Sequence, residues 1–391
     1  MSNKIDRTLP YGRQTINNDD VLAVSDALTQ DFLTQGPTVG AFERALRETV
    51  GSKHATATSS ATTALHMAYT ALDLSAGDTL WTSPITFVST ANAARFCDAS
   101  VDFVDVDPTT GNMCPVKLAE KLDYASKTGG LPKIVVPVHL GGSSCRMTKI
   151  RELCNAYGVH VVEDASHALG ASYEDTRVGE CKYSDAAVFS FHPVKMITTG
   201  EGGCLTTNDA GLASKVETLR SHGITKDPDH FINPSDGGWY YEQQGLGFNY
   251  RITDIQSALG ISQLKKLDEF VDARNEIANW YIQNLPAQAE VVHPVENTKS
   301  SYHLMMILLP DSKTRRFVYD GLRSNHVLAQ VHYIPVHYQP YYQRLGFKRG
   351  DFPNAEMFYS RVISLPMFPG LKQADVTRVC GLVNEGIQSC A

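Results

Sequence analysis

The chain has 391 residues, with 35 Lys and Arg against 42 Asp and Glu, a formal net charge of −7. Hydrophobic residues make up 42% and charged residues 20%, the balance of an ordinary globular protein. A mildly acidic chain is poorly suited to nucleic acid or to an anionic membrane surface, so those partners are not expected. The length fits two or three domains, or one large α/β core with a smaller lobe. No apolar run approaches a membrane span. The segment Met1-Ser2-Asn3-Lys4-Ile5-Asp6-Arg7 lacks the apolar stretch of a signal peptide, so a cytoplasmic protein is expected. Eight scattered cysteines include no close pair with metal-ligand spacing and read as buried thiols in a reducing compartment.

In chain order, strands are expected at 78–83, 101–107, 133–139, 160–164, 186–191 and 203–207. Several are short runs rich in Val and Ile, as in strands buried on both faces. Helical periodicity fills the intervals: after Ser60, residues Ala64, Leu65, Ala68, Ala71 and Leu72 share one face. This alternation predicts a mostly parallel sheet covered by helices. From about residue 253 the pattern changes. Ile255, Ala258, Leu259, Ile261, Leu264, Leu267 and Phe270 predict one long amphipathic helix to about residue 284. Strands at 303–309 and 329–333 and terminal helices follow. The division is therefore placed at 1–250 for a large domain and 251–391 for a small α/β domain, with the first fifteen or so residues packing on the latter.

Five segments bear on chemistry. In Phe189-Ser190-Phe191-His192-Pro193-Val194-Lys195 a lysine follows a buried strand. Partial desolvation there yields the neutral amine that a Schiff base needs, although a surface loop lysine reads the same way. Gly200, Gly202 and Gly203 would let backbone approach a cofactor. Asp164 ends the strand 160–164, where open α/β sheets place ligands. It suits a pyridinium partner or a plain helix cap. Ser60-Ala61-Thr62 opens a helix, as a phosphate cup or an unliganded cap. Phe87 is a core residue or a platform for a flat ring. Asn249 and Arg251 precede the long helix. Taken singly, each has an ordinary explanation. Together, a phosphate cup, a platform, an acid and a lysine are the parts that hold pyridoxal phosphate. No third ligand accompanies His332 and His337, so no metal site is expected. No GxGxxG follows an early strand, which excludes a nicotinamide-linked dehydrogenase.

The wording and order of these segments closely resemble the DegT/DnrJ/EryC1/StrS family of sugar aminotransferases. The likeness runs from Leu33-Thr34-Gln35-Gly36-Pro37 to Ser364-Leu365-Pro366. The most specific parts are Phe-Ser-Phe-His-x-x-Lys-x-Ile-Thr-Thr-x-Glu-Gly-Gly and Gly-x-Asn-x-Arg. The resemblance implies a type I, aspartate-aminotransferase-like fold and pyridoxal 5′-phosphate as cofactor. It implies that Lys195 carries the cofactor, that Asp164 faces the pyridinium and that Phe87 stacks on the ring. Ser60, Ala61, Thr62 and Ser190 would bind the phosphate, and His167 would lie near the ring oxygen. Ala61 departs from the family's usual glycine. Asn249 would reach the cofactor of a neighbouring subunit, implying a homodimer with shared sites. Within the family, the segments 164–170 and 329–338 resemble the pseudaminic-acid branch. That likeness implies L-glutamate as donor, a UDP-linked 4-keto-6-deoxy sugar as acceptor, and ping-pong turnover. His222, His332 and Tyr333 are the candidate sugar contacts. A different nucleotide-linked keto sugar remains an alternative. The family's dehydratase branch replaces the lysine by histidine, and a non-catalytic homologue would lack Lys195 or Asp164; both residues are present here.

Overall fold

The computed structural model describes residues 8–390. Its centre is a seven-stranded sheet: β1 (His54–Thr58), β2 (Thr79–Thr82), β3 (Ser100–Phe103), β4 (Ile134–Val136), β5 (His160–Asp164), β6 (Ala186–Ser190) and β7 (Gly203–Thr207). The strand order is β1-β7-β6-β5-β4-β2-β3. Every neighbouring pair is parallel except the two made by β7, which runs against both β1 and β6. The reversed strand brings its first residue, Gly203, to the same sheet edge as the last residues of β5 and β6.

Six strands form where the sequence predicts them, with β5 and β7 at the expected limits. β3 stops at Phe103 and β4 at Val136, short of the apolar runs that contain them. β1 carries no sequence signal because it reads His-Ala-Thr-Ala-Thr. Small residues and a place at the sheet edge replace the Val and Ile of central strands. Helix Ala61–Ala71 covers one face, burying Leu65, Met67, Ala68 and Tyr69. Met147–Ala156 and Pro115–Thr128 pack on the other with Trp81, Val135 and Val161.

Two expectations are corrected. The single long helix is two, Asp254–Leu264 and Leu267–Asn284. The break lets the halves serve different neighbours: the first packs on Asn18–Leu28 and Pro37–Val50, the second on Gln373–Gln388. At the break Lys266 reaches the buried Asp20 at 2.6 Å. No strand forms at 329–333. Val327–Leu328 pairs in parallel with Leu9–Pro10, Gln330 makes one bridge to Ser364, and the segment then turns toward the site. The expected strand at 303–309 appears as Met305–Leu308, the middle of an antiparallel sheet between Glu290–Val291 and Val362–Leu365. Ile307, Ile363, Val318 and Val379 share a second core there, with Leu9 of the N-terminal stretch. Among the described residues no helix is long and apolar enough to cross a membrane.

Candidate active site

A cavity of about 760 Å³ opens at the carboxyl ends of β5 and β6, where parallel sheets leave backbone groups and loops free to meet a ligand. Ten of the expected residues line it: Ser60, Ala61 and Thr62, then Phe87, Asp164 and His167, then Ser190, Lys195, His332 and Tyr333. At its base begins helix Ala61–Ala71. Ser60 caps that helix by accepting the Thr63 N–H at 3.2 Å, and the Thr63 hydroxyl accepts the Ser60 N–H in return. The N–H groups of Ala61 and Thr62 lie in the first turn, where no intrahelical acceptor exists. They form the positive end of the helix, so an anion such as phosphate fits. Alanine in place of glycine keeps the donor that matters.

Two of the three glycines that follow Lys195 are required by close packing within the protein. A Cβ on Gly203 would stand 2.5 Å from the backbone of Ser60 and Ala61. Glycine there lets β7 press against the helix start. A Cβ on Gly202 would strike the Thr199 side chain, and only Gly200 has a positive φ, +80°.

Asp164 is 5% exposed. One carboxylate oxygen accepts the Thr90 hydroxyl at 2.7 Å, the other the Ser166 N–H at 3.1 Å. Thr86 lies 2.8 Å from Thr90 Oγ1, extending the chain of hydroxyls. These donors fix the carboxylate while its remaining lone pairs face the cavity. Lys195 lies on the loop between β6 and β7. Enclosure by protein lowers its pKa from 10.5 to about 8, and the negative charge of Asp164 acts in the opposite direction. Phe87 leaves 59% of its surface open, an uncommon state for a phenyl ring unless something covers it.

His167 is buried between Gly141, His303 and Tyr333. Its Nδ1 accepts the Gly141 N–H at 3.3 Å, and its Nε2 lies 3.0 Å from the Tyr333 hydroxyl. Burial and the Lys195 cation hold its pKa well below that of a free imidazole. His332 pairs with Ser364 at 2.8 Å, and burial lowers its pKa to about 3. His337 turns instead to Glu356 at 3.0 Å, so the two histidines do not converge. Asn249 and His222 lie outside the cavity, side by side: Ser221 bridges Asn249 and the His222 N–H donates to the Phe248 carbonyl. Sequence reasoning missed Thr86, Thr90, Tyr11 and Ser59. Thr86 and Thr90 lie on either side of Phe87, but only Thr90 is in helix Ser89–Phe96; Thr86 sits in the preceding bend, and the turn that brings the two hydroxyls together has no sequence signal. Tyr11 had none, because its approach depends on the pairing of Leu9–Pro10 far along the chain.

A sequence model of the DegT/DnrJ/EryC1/StrS aminotransferase family matches residues 14–384. The chain belongs to that family. It is a pyridoxal-phosphate-dependent sugar aminotransferase. The chain is similar to the Spore coat polysaccharide biosynthesis protein SpsC of Bacillus subtilis, 38% identical over 98% of both chains. It is similar to the UDP-4-amino-4,6-dideoxy-N-acetyl-beta-L-altrosamine transaminase of Campylobacter jejuni, 39% identical over 92% of both. Among solved structures it superimposes on Helicobacter pylori PseC, an aminotransferase involved in the biosynthesis of pseudoaminic acid. The TM-score is 0.90 at 34% identity, covering 98% of this chain and 100% of that one.

Proposed function

We propose that this aminotransferase moves an amino group from L-glutamate to C4 of a UDP-linked 4-keto-6-deoxy-N-acetylhexosamine, in two half-reactions. The observation that carries the transfer chemistry is Lys195, with a pKa lowered to about 8 by its enclosure, in one cavity with the anchored carboxylate of Asp164. The likeness to the Campylobacter transaminase and to PseC supports the choice of sugar. A second reading, an aminotransferase for a different nucleotide-linked keto sugar, accords with the likeness to a spore coat polysaccharide biosynthesis protein.

Each residue has a task in this reading. Ala61 and Thr62 donate their free N–H groups to the cofactor phosphate, with Ser60 and Ser190 beside them. Phe87 covers one face of the ring. Asp164 holds the proton on the ring nitrogen, and Thr90 and Ser166 hold Asp164. Bound there, the cofactor supplies an electron sink for a carbanion. Lys195 carries the cofactor and, once released, takes the proton from Cα of the amino donor through Nζ. Only a neutral amine can accept that proton, which is why enclosure of the lysine matters. His332, Tyr333 and His222 face the sugar.

Asn249 and His222 reach the cavity of a second subunit in this reading, since neither lines their own. The segment they flank exposes Ile232, Trp239 and Leu246, at 78%, 75% and 83%. Apolar side chains so exposed in one stretch suit a homodimer face. We place the reaction in the cytoplasm, a reducing compartment that suits eight free cysteines.

The test is a visible-absorption titration. Protein loaded with pyridoxal phosphate is converted with L-glutamate and freed of it, and then receives the UDP-linked keto sugar. Loss and return of the visible band is the expected result. Loss without return eliminates this sugar, and dTDP-linked or 3-keto sugars come next. No band with added cofactor overturns the whole reading.

A further inference from the structure

The hydrogen-bond directions around His167 determine where the proton of Tyr333 points. An amide N–H only donates, so the Gly141 N–H requires a lone pair on His167 Nδ1. A neutral imidazole then has its single proton on Nε2. That nitrogen lies 3.0 Å from the Tyr333 hydroxyl. If Tyr333 donated to Nε2 instead, both ring nitrogens would be acceptors, which requires an imidazolate. If the ring were doubly protonated, Nδ1–H would oppose the Gly141 N–H. Both alternatives fail, and His167 donates to the oxygen of Tyr333.

His167 is held in this orientation from several sides. His303 lies against its ring with centroids 4.4 Å apart, and the Ser301 hydroxyl donates to its carbonyl. Tyr333 forms no other side-chain hydrogen bond among the described residues; it accepts from His167 and its own proton has no protein acceptor. Its ring lines the cavity 6.3 Å from that of Phe87. The polar edge offered to a ligand beside Phe87 is therefore the phenol O–H, not the imidazole.

We propose that Tyr333 donates its hydroxyl proton to an acceptor oxygen of the molecule bound beside Phe87, with Gly141 and His167 as the positioning residues that aim it. The inference deepens the aminotransferase reading and rests on it. The acceptor is an anionic or carbonyl oxygen, and two sources carry one: the ring oxygen of the cofactor and the keto oxygen of the sugar.

The direct test does not need the loaded enzyme. Nitrogen-15 spectra of cofactor-free protein labelled at histidine, with His167→Gln to assign the signal, should show His167 protonated at Nε2 and bare at Nδ1. The opposite tautomer overturns the proposal. The second test uses Tyr333→Phe, which keeps the ring and removes the donor. If the acceptor is the cofactor oxygen, the pH midpoint of the visible band of the lysine-bound cofactor moves up by about one unit, because a lost donor destabilises the anionic oxygen. If it is the sugar's keto oxygen, that midpoint stays and kcat/KM for the keto sugar falls roughly 10- to 100-fold with the glutamate half-reaction unchanged. His167→Gln, which retains a side-chain N–H donor, should show the smaller change in the same parameter, whereas His167→Ala should approach Tyr333→Phe. Wild-type behaviour of Tyr333→Phe in both parameters overturns the proposal. A wild-type protein that forms no visible band is the separate failure of the aminotransferase reading. Should Tyr333→Phe not fold, the tautomer and the two His167 variants decide.

Discussion

At the scale of single residues, the proposed site rests on one enclosed amine and one buried carboxylate that line the same cavity. Lys195→Ala should lose the visible band and at least about 100-fold in turnover, the lower end of what a positioned proton-transfer group contributes; absorbance and steady-state rates check both. Asp164→Asn should keep the fold and lose about 100-fold or more in rate, with Tm unchanged within a few degrees. Because enclosure moves the lysine's pKa down to about 8, the neutral amine reaches half its population there rather than at 10.5. Capture of added pyridoxal phosphate by cofactor-free protein should therefore rise with pH through about 8, measured by the growth of the visible band. A capture rate that rises only near 10.5 would place Lys195 in open water. The same shift has a consequence for stability. Burying the charged amine opposes folding at low pH; between about 8 and 10.5 the folded chain binds fewer protons at Lys195 than the unfolded chain does, so this penalty shrinks and stability rises with pH through that window.

At the scale of elements, the site exists because segments distant in sequence complete one another. Helix Pro37–Val50 begins after Gly36, which has no side chain with which to cap. Its cap comes from Asp254, more than two hundred residues away: the carboxylate accepts the Gly36 N–H at 2.7 Å and the Thr38 N–H at 2.9 Å. Asp254 is itself buried. Asp254→Ala should cost about 2–3 kcal/mol, the range for hydrogen bonds to a charged group plus the unpaired donors left behind; a denaturant midpoint measures it. β7 depends in a similar way on Gly203, whose missing side chain makes room for the start of helix Ala61–Ala71. Gly203→Ala should destabilise by about 1–3 kcal/mol through overpacking and weaken pyridoxal phosphate binding, because the displaced backbone carries the proposed phosphate donors. Normal cofactor affinity in a destabilised Gly203→Ala would separate the two effects and remove the helix start from the phosphate site.

At the scale of the whole molecule, the proposed second subunit makes a sharp prediction. Lys195→Ala and an Asn249 variant, each inactive alone, should regain activity when unfolded together and refolded, because one site in each mixed dimer is intact. Equal mixing leaves about a quarter of the sites intact. No recovery, with dimers present by light scattering, would mean that Asn249 does not act across subunits.

Composition, periodicity and motif spacing determined much of this molecule. The parallel sheet was legible because central strands are buried on both faces and must be apolar, and the residues that line the cavity were legible because Asp164 ends a strand and Ser60, Phe87 and Lys195 follow strands within a few residues. Other features were decided only by tertiary structure. β1 is a strand because β7 pairs with it, not because Ala and Thr demand it. The helix breaks at Lys265–Lys266 because its halves pack on different partners, although the apolar period runs straight through. Segment 329–333 alternates like a strand but lines the cavity, since only Gln330 meets a neighbouring edge. The donor arrangement at His167 needs Gly141 and Tyr333, which come from segments far apart in the sequence. Sequence specifies which faces are apolar and where the chemistry-bearing side chains fall. Which distant backbone satisfies a given donor is settled only when the chain closes on itself.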